Sequence, residues 1–551
     1  MTRYAIFDVE SNGLLPRLHT IHLVVVKDIQ TNEVFGFRDP HDAVKYLDTF
    51  DRVIGHNCIQ FDLPALKKIT GWVPKARPID TCTLSRLLWP DRNTHPAGGS
   101  SLKNWGLYLK MPKGDFKDFS AWSPEMETYC IQDVQITHLI YNHIMPAAHK
   151  CAYASTLELD TASIIAEQVA NGFGFNYRDA TLLLADLTSK QAKVTAVLQQ
   201  VFPPKEIQLK TKVKYIPFNP GSRDMIAVAF MKKYGWKPTE LTETGKPQID
   251  ESILSGLKYP EAEILNEYLM LEKRIGQLNQ WLAASKSDKI HGDVNTNGAV
   301  SGRMTHSNPN IAQVPRCGSP YGAECRALFG PTRKGWLQVG ADAAGLELRM
   351  FAHYLAEYDG GNYGNVICEG DIHSHNQAMA GLKTRDQAKT FIYGLLYGAG
   401  DEKVGKIVEG SRADGHRLKE AFKKQVPAYV KLLNKLEYET ARSKLLTGLD
   451  GRPLPVRSAY SALNLLLQSA GAVVMKKALI IMAKKMNDKY QGKFAFMANV
   501  HDEVQIECDP TIAQDCGKIM TDSITQAGLA LELKCPLSGN FKVGNNWGDT
   551  H

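Results

Sequence analysis

The sequence predicts a multidomain protein that combines an α/β domain at its N-terminus with α+β domains after it. Three observations lead to this expectation. The chain has 551 residues, more than one hydrophobic core usually supports. Short apolar strand patterns alternate with helical patterns over the first 150 residues. Long helical patterns come next, and a buried strand, a cationic helix and an apolar hairpin follow in that order.

Composition narrows the class of protein. Hydrophobic residues make up 44% of the chain and charged residues 22%, which is ordinary for a soluble globular protein. The net charge of +7 permits a polyanionic partner without demanding one. The ten Cys residues form no Cys-x-x-Cys pair, which argues against zinc ribbons and disulfide frameworks and favours a reducing cytoplasm. The chain enters a strand pattern at once, and its most apolar long segment, 463–482, contains polar residues, so neither a signal peptide nor a membrane span is expected.

Acidic residues recur at the ends of the N-terminal elements. Asp8 and Glu10 stand two apart on the first strand, so both carboxylates point to one face. Asp62 enters a helix after a short strand, and Tyr129 and Asp133 share the face of a later helix. Four acids could hold two magnesium ions about 3.5–4 Å apart, which activate a water for phosphodiester hydrolysis. An isolated Asp-x-Glu is usually only an exposed polar pair, whereas the whole ordered set is far more specific.

This ordered set resembles the proofreading 3′–5′ exonuclease domain of the DnaQ-like, ribonuclease-H-like superfamily. The resemblance implies such a domain over residues 1–150, with Tyr129 orienting the attacking water. Four residues would be its metal ligands: Asp8, Glu10, Asp62 and Asp133.

Residues 151–330 contain long helical patterns joined by a basic connector between Val201 and Asn219. Helices with basic connectors suit a clamp on a nucleic-acid backbone, and a solvated loop explains the lysines equally well. Arg303 and Gln313 lie further on, in loops rich in Asn. Such side chains suit the acceptors that every base pair presents in the minor groove.

Asp342 stands at the end of a predicted buried strand, 336–340, and an amphipathic helix follows it. A carboxylate in that place is as consistent with a helix N-cap as with a metal ligand. A second acid, Asp502, falls at the turn of a hairpin predicted from strands 494–500 and 503–508. Two such acids could bridge two magnesium ions that activate a 3′-hydroxyl and hold a triphosphate, so the pair favours metal binding.

The segment 384–400 predicts a helix with Thr384 as its N-cap and Gly398 as its terminator. Four side chains recur every four residues and form one ridge of that helix: Arg385, Lys389, Tyr393 and Tyr397. Two cations followed by two aromatic rings suit a triphosphate and then a sugar and base. A solvated charged face beside core aromatics is the alternative, and the order of the four residues disfavours it.

These segments together resemble the DNA polymerase I family (family A), and within it the replicative polymerases of short-tailed bacteriophages. Motif A matches residues 342–349, motif B residues 385–398 and motif C residues 501–503. Further matching phrases lie at 371–373, 398–403 and 449–452, and the similarity covers essentially the full chain. The resemblance implies a right-hand polymerase after the exonuclease domain: 151–330 thumb and palm entry, 331–370 palm, 371–440 fingers, and 441–551 palm with the C-terminal segment.

The family's metal and nucleotide roles carry over residue by residue. Asp342 and Asp502 would bind two Mg²⁺ ions, for which Mn²⁺ could substitute, and the backbone carbonyl of Ala343 would assist. The incoming triphosphate would be held by Arg385, Lys389 and His373, with Lys389 protonating the pyrophosphate.

Sugar and template roles carry over in the same way. Tyr393 would pack on the sugar, Tyr397 would lie beside the templating base, and Glu347 would fill the space of a ribose 2′-hydroxyl. The primer-template minor groove would be contacted by a set of polar side chains: Arg303, Gln313, Asn464, Gln468 and His501.

The resemblance also implies partners. Primer-template DNA and deoxynucleoside triphosphates would be the substrates, and a replicative helicase-primase and a single-strand-binding protein would be the associates, in the cytoplasm of a host cell. Phage relatives that recruit host thioredoxin carry a long thumb insertion, which this chain lacks, so thioredoxin is not expected. Two rivals are a nuclease with a degenerate synthetic domain and a non-enzymatic replisome scaffold. The nuclease is disfavoured because Asp342, Asp502, Arg385 and Lys389 are all present, and a scaffold would have no reason to keep both carboxylate sets.

Overall fold

A computed structural model describes residues 2–15, 17–208, 213–238 and 240–551 of the chain. The chain divides into two compact units, and each is described by itself. The first unit is Met1–Asn171, Asp293–Ser307 and Gly335–Val543, and the second is Gly172–Gly292, Asn308–Lys334 and Gly544–His551. This is a division by packing, and the predicted division into five domains by role stays a prediction.

The N-terminal part of the first unit alternates strands and helices. In chain order these are β1 (Tyr4–Ser11), β2 (Ile21–Asp28), β3 (Val34–Phe37), α1 (Pro40–Leu47), β4 (Arg52–Gly55), α2 (Asp62–Thr70), β5 (Arg77–Asp80), α3 (Thr81–Leu88), α4 (Leu102–Tyr108), α5 (Pro124–Lys150) and α6 (Ala152–Asn171).

The strand β1 lies at the centre of a five-stranded sheet with the order β3-β2-β1-β4-β5. It pairs antiparallel with β2 and parallel with β4. Phe7 and Val9 enter the core on one face of the sheet, while Ile6 enters the core on the opposite face with Cys130 and Val134 of α5. Because side chains alternate along a strand, the acids at even positions of β1 share the face that α5 covers.

The second unit contains helices with short strands between them. These are β6 (Phe173–Phe175), α7 (Tyr177–Val201), β7 (Lys205–Gln208), β8 (Val213–Ile216), α8 (Arg223–Tyr234), α9 (Glu251–Ser255), α10 (Pro260–Ala284) and β9 (Lys289–Ile290), and later α11 (Gly322–Ala327) and β12 (Phe329–Gly330). The basic segment expected to be a plain connector contains an antiparallel hairpin, β7–β8. Residues 209–212, which lie between the two strands in the sequence, are outside the described residues.

The first unit resumes with two short strands and continues from residue 335. Its elements are β10 (Asp293–Asn295), β11 (Thr305–Ser307), β13 (Leu337–Ala343), α12 (Leu346–Asp359), α13 (Asn362–Glu369), α14 (Ile372–Ala380), α15 (Arg385–Leu396), α16 (Asp401–Ile407), α17 (Arg412–Gln425), α18 (Pro427–Ser443), β14 (Leu445–Thr447), β15 (Pro453–Pro455), α19 (Ala462–Tyr490), β16 (Phe494–Val500), β17 (Glu503–Cys508), α20 (Ala513–Ala530) and β18 (Gly539–Gly544).

A second sheet, of four strands, has the order β16-β17-β13-β18. The strands β16 and β17 form the predicted hairpin, and β13 pairs antiparallel with β17. The pairing of β13 continues as far as Asp342, which stands opposite Glu503. The strand is therefore longer than the predicted segment 336–340, and Asp342 belongs to its last residues rather than to the turn beyond it.

The helix α19 packs against α20, α6 and α12 in the core of the first unit. With the short turn before it, Ala459–Tyr490, it is long and apolar enough to cross a membrane by length and composition, within the part of the chain that the structure describes. Most of its apolar window, 72%, is buried inside the protein. Core packing therefore accounts for its composition.

Candidate active sites

The first candidate site is built on the face of β1 that α5 covers. Asp8, Glu10 and Cys130 offer ligand atoms that all lie within 4.8 Å of one another. The thiol of Cys130 also donates to Asp8 Oδ2 at 3.5 Å. The two acids therefore lie together on one face of the strand, where the sequence predicted them.

The other two predicted acids join the same cluster. Asp62, the first residue of α2, accepts a hydrogen bond at Oδ1 from the backbone N–H of Val9 at 3.1 Å, between the two β1 acids. Asp133 lies on α5, is 2% exposed, and its Oδ1 has no hydrogen-bond partner in the described structure. Four carboxyl groups are therefore gathered from one strand and two helices.

The crowding of these acids raises their pKa values. Desolvation and then the charge of Asp133 raise the pKa of Asp8 to about 7. Desolvation and then Asp8 raise the pKa of Glu10 to about 9, and the same two causes raise that of Asp62 well above its ordinary value. Carboxyl groups that repel one another in this way are stabilised in their charged form by a divalent cation, which prefers oxygen ligands. The buried Oδ1 of Asp133, which has no hydrogen-bond partner in the described structure, fits such a ligand.

Lys113 is a residue of this site that sequence reasoning missed. Its ammonium group pairs with the carboxylate of Asp133 and lies 4.7 Å from the ring centroid of Tyr129. Burial lowers the pKa of this lysine, but the charge and hydrogen bond of Asp133, together with Tyr129 and Asp8, raise that pKa above its ordinary value, so the side chain is a cation at neutral pH. A single lysine in an irregular segment between two helices carries no periodic signal, so only the fold could reveal it.

Asp80 is a second missed residue, and it fixes the turn that leads to Asp62. Its buried carboxylate accepts from the backbone N–H groups of Asn57 at 3.0 Å and Ile59 at 3.1 Å. It is also the N-cap of α3, where it accepts from the N–H of Cys82 at 2.9 Å. An Asp before a helical pattern signals a cap, but nothing in the sequence indicates its contacts with the earlier turn.

The second candidate site lies at the end of β13 and at the β16–β17 turn. The backbone N–H of Ala343 donates to the carbonyl of Asp502 at 3.0 Å, which joins the two segments. The N-cap of α12 is Gly345, with a φ of 58°, and no side chain caps that helix. Asp342 is therefore not a capping residue, which removes the alternative that the sequence left open.

Asp342 lies close enough to Asp502 to influence the ionisation of Asp502. Desolvation raises the pKa of Asp502, and the charges of Asp342 and Glu503 raise it further. His501, at the turn, adopts a φ of 57°, which turns the chain sharply before Asp502. Two repelling carboxylates at neighbouring strand ends are a donor set that suits divalent cations.

The ridge of α15 forms as predicted. Thr384 makes a capping box with Gln387, and Gly398 takes a φ of 72° just beyond the helix. Arg385 forms two bonds to Asp371, from Nε to Oδ2 at 2.7 Å and from Nη2 to Oδ1 at 3.2 Å. The sequence signalled both residues but not this ion pair.

His373 lies next to the cations of this ridge. Desolvation and then Arg385 lower its pKa, and Lys389 lowers it further, so the imidazole is neutral at neutral pH. Lys389 itself is exposed on the surface of α15. Two cations and one neutral imidazole, which can donate one hydrogen bond, thus face the same region.

Glu347, on α12, connects this helix to Tyr397 at the end of α15. Its Oε1 accepts from Arg303 Nη2 at 2.9 Å, and both of its oxygens lie 2.6 Å from the hydroxyl of Tyr397. Glu347 and Asp502 both raise the pKa of Tyr393, although desolvation has the larger effect. The predicted sugar-binding residues and the acids predicted to bind metal therefore lie in one continuous site.

The predicted minor-groove residues are only partly brought together. Asn464 and Gln468 lie one turn apart on α19 and bond to each other, Nε2 to Oδ1 at 2.9 Å. His501 lies near Arg303, whose charge lowers the pKa of the imidazole after desolvation. Gln313 belongs to the second unit, where its carbonyl accepts from Gln277, so its predicted place beside the other four stays a prediction.

The chain is similar in sequence to known proteins over almost its whole length. Residues 189–549 match the sequence model of DNA polymerase family A. The chain is 32% identical to the DNA-directed DNA polymerases of Enterobacteria phage T3 and Escherichia phage T7, and each alignment covers 99% of this chain and 99% of the relative. The chain therefore belongs to DNA polymerase family A.

A solved structure shares the fold. This chain is similar to the POL domain of Pol1 from M. smegmatis, solved in complex with DNA primer-template and dNTP, with a TM-score of 0.82. The match covers 100% of this chain and 96% of that chain at 16% sequence identity. The two phage alignments span 702 positions against 551 residues here, so each phage relative carries segments that this chain lacks.

Proposed function

We propose that this chain is a DNA-directed DNA polymerase of phage-type replication that carries its own proofreading 3′–5′ exonuclease. One observation carries the proposal. Within a single compact unit the chain gathers two separate sets of acids, one beside a cationic and aromatic helix and the other on the face of β1. The first set suits synthesis from a triphosphate, and the second suits hydrolysis of a phosphodiester.

In the synthetic reaction, Asp342 and Asp502 would hold two magnesium ions, with the carbonyl of Ala343 as a further oxygen ligand. Bound magnesium supplies Lewis-acid activation of the attacking oxygen and stabilises the charge of the leaving oxygen, at both sites. Arg385 and Lys389 bind the triphosphate, and the neutral His373 donates a hydrogen bond to it. Lys389 then gives a proton to the leaving pyrophosphate.

The aromatic end of α15 selects the sugar and the template. Tyr393 packs against the deoxyribose, and Tyr397 lies beside the templating base. Glu347, held by Arg303 and Tyr397, occupies the space that a ribose 2′-hydroxyl needs. The same polar side chains that follow the minor groove keep the primer terminus in register: Arg303, Gln313, Asn464, Gln468 and His501.

In the exonuclease reaction, Asp8, Glu10, Asp62 and Asp133 would hold the metal ions. Tyr129 orients the attacking water through its hydroxyl. Lys113, fixed by Asp133 and lying against the Tyr129 ring, adds a positive charge beside the scissile phosphate and holds the tyrosine in place. This gives the missed lysine a role in the same chemistry.

A mismatched primer tests the proofreading part. On a primer-template with a mismatched 3′ nucleotide, the wild-type protein with magnesium should remove that nucleotide before it extends the primer. Asp133→Asn should extend the mismatch slowly without removing it, while Asp118→Asn, a change at an exposed Asp, should behave as wild type. Removal of the mismatch by Asp133→Asn at the wild-type rate would contradict the proposed exonuclease site.

The proposed partners follow from the same function. The chain acts on primer-template DNA in the host cytoplasm, together with a replicative helicase-primase and a single-strand-binding protein. It works without thioredoxin, a proposal supported by the short β7–β8 hairpin between α7 and α8 and by the greater length of the phage relatives. A gain of severalfold or more in product length when thioredoxin joins a trapped primer-extension assay would refute this.

A further inference from the structure

Four charged side chains are buried together in the first unit, away from both candidate sites. Glu158 lies on α6, Asp450 and Arg452 lie in the turn between β14 and β15, and Lys476 lies on α19. The side chain of each is no more than 2% exposed. Neither proposed reaction uses any of them.

The four side chains form one connected network. Glu158 Oε1 accepts from Lys476 Nζ at 2.5 Å and from Arg452 Nη2 at 2.8 Å. Arg452 also donates two hydrogen bonds to Asp450, from Nε to Oδ1 at 2.9 Å and from Nη2 to Oδ2 at 2.7 Å. Two cations and two anions balance, which is the condition under which buried charges are tolerated.

Lys476 makes one further contact, to a residue that is not part of the network. Its Nζ donates to the backbone carbonyl of Gly302 at 2.7 Å. Gly302 has a φ of 77°, and a Cβ on it would overlap the guanidinium of Arg452, so only glycine allows this approach. The N–H of Gly302 closes the turn on the carbonyl of Ala299 at 2.8 Å. The turn is therefore fixed from its buried side.

The residue after Gly302 is Arg303, which reaches the polymerase site. Arg303 Nη2 donates to Glu347 Oε1 at 2.9 Å, and Glu347 in turn accepts from Tyr397. The buried network is thus linked to the residues proposed to meet the sugar of the incoming nucleotide by two hydrogen-bonded contacts, at the Gly302 carbonyl and at the Arg303 side chain, which the backbone between Gly302 and Arg303 joins.

We infer that Lys476 is a positioning residue for nucleotide incorporation: held by Glu158, its ammonium group fixes the carbonyl of Gly302 so that Arg303 meets Glu347. This rests on the proposed function only in that Arg303 and Glu347 are taken to act in synthesis. Positioning of this kind has large kinetic effects, because small displacements of a contacting side chain lower the reaction rate strongly.

The test needs a variant that cuts the contact without leaving an unpaired buried charge. Lys476→Met alone would leave Glu158 with one cation fewer, and such uncompensated charge destabilises a core. Glu158→Gln combined with Lys476→Met removes one charge of each sign and keeps the Asp450–Arg452 pair. Lys477→Met is the matched control, since Lys477 is the next residue of α19 and lies 5.5 Å from the Tyr153 ring instead.

The measurement is a double-mutant cycle with Arg303→Ala, read as kcat/KM for single-nucleotide incorporation at a matched primer-template with magnesium. The balanced double variant should lose about tenfold or more in kcat/KM when Arg303 is present. In the Arg303→Ala background it should lose almost nothing further, because the residue through which it acts is gone. Lys477→Met should keep wild-type kcat/KM in both backgrounds.

Either of two results would overturn the inference: wild-type kcat/KM in the balanced variant, or an equal loss with and without Arg303, which a purely structural role produces. If the balanced variant does not fold, Glu158→Gln combined with Lys476→Gln, which is also balanced in charge, enters the same cycle, with a smaller loss that must again vanish in Arg303→Ala. A wild-type protein that does not extend a primer would instead refute the proposed function, so the two failures are distinguishable.

Discussion

Glu347 is the residue proposed to set the sugar preference of the polymerase. It is held between Arg303 and Tyr397, so its carboxylate has a fixed place beside the C-terminal end of α15. Removing it should open room for a 2′-hydroxyl. Glu347→Ala should lower the ratio of deoxyribonucleotide to ribonucleotide incorporation by about tenfold or more, the scale of steric discrimination in a fitted pocket.

The control for that change lies on the same helix. Glu357→Ala removes an exposed carboxylate of α12, which pairs with Lys435 at 3.0 Å, and should leave the incorporation ratio unchanged. Tyr397→Phe, which removes one of the two groups that hold Glu347, should lower the ratio less than Glu347→Ala does. An unchanged ratio in Glu347→Ala would mean that another residue excludes ribonucleotides.

The acids of the proposed exonuclease site predict how stability depends on pH in the presence of a chelator. The pKa values of Asp8 and Glu10 are raised to about 7 and about 9, above the value of about 4 for a carboxyl in an unfolded chain. A raised carboxyl pKa favours the fold at low pH, and this contribution is lost as pH rises through the folded pKa. With a chelator, the melting temperature should therefore fall between about pH 4 and pH 9.

The variant Asp8→Asn with Glu10→Gln lacks these two acids and should show a flatter profile with chelator. Magnesium should raise the melting temperature of the wild-type protein at pH 8 and do so less in the variant, because binding to the folded state stabilises it. Equal pH profiles for the two proteins in chelator would contradict the crowding of these acids.

Single residues were predictable where a motif or a strand period fixed them. The carboxylates of Asp8 and Glu10 needed only the alternation of a strand, and Asp502 needed only a hairpin turn. The partners of those residues were not predictable. The contact of Lys113 with Asp133 and that of Arg303 with Glu347 join positions far apart in the chain, and no local pattern encodes such a pair.

At the level of elements, the helix α15 places both proposed triphosphate-binding cations in its first turns. Its capping box satisfies the backbone N–H groups that would otherwise lack partners there. Thr384→Ala should cost about 1 kcal/mol of local stability. It should speed hydrogen exchange of the first-turn amides of α15 and raise the KM for deoxynucleoside triphosphates.

A matched threonine of the same helix serves as the control. Thr390 bonds only to the carbonyl of Asp386 one turn earlier, at 3.0 Å, so Thr390→Ala should leave exchange of the first turn unchanged. Equal exchange rates in Thr384→Ala and wild type would show that packing rather than the cap holds the start of the helix.

Elements with a strong local signal were predicted closely from the sequence. The hairpin β16–β17 and the start of α5 at its Ser123 cap are where the patterns indicated. The hairpin β7–β8 was missed, because each of its strands has only four residues and so short a pattern does not distinguish a strand from a loop. The strand β13 was expected to end before Asp342, and it is longer. Its last residues are strand because they pair with β17, a partner more than 150 positions away that the local sequence does not reveal.

At the scale of the whole molecule, the proposed exonuclease and polymerase sites occupy one compact unit built from separate parts of the chain. The helix α6 contacts both α3 and α19, and Asp91 pairs with Arg457 at 2.9 Å across the same boundary. A sequence read in order predicts contiguous domains. It could not indicate that residues 293–307 return to the first unit, because that return depends on contacts between distant positions. Gln60 Nε2 donates to the carbonyl of Val294 at 2.7 Å, and Lys476 Nζ donates to the carbonyl of Gly302 at 2.7 Å.

The most direct test of the account separates the two sites in one assay. On a 5′-labelled primer-template with magnesium, Asp342→Asn should abolish primer extension and keep 3′–5′ degradation. Asp8→Asn with Glu10→Gln should abolish degradation and keep extension, and both changes preserve side-chain shape. Loss of both activities in either variant, or of neither, would contradict the central claim that this chain carries two independent metal-dependent sites.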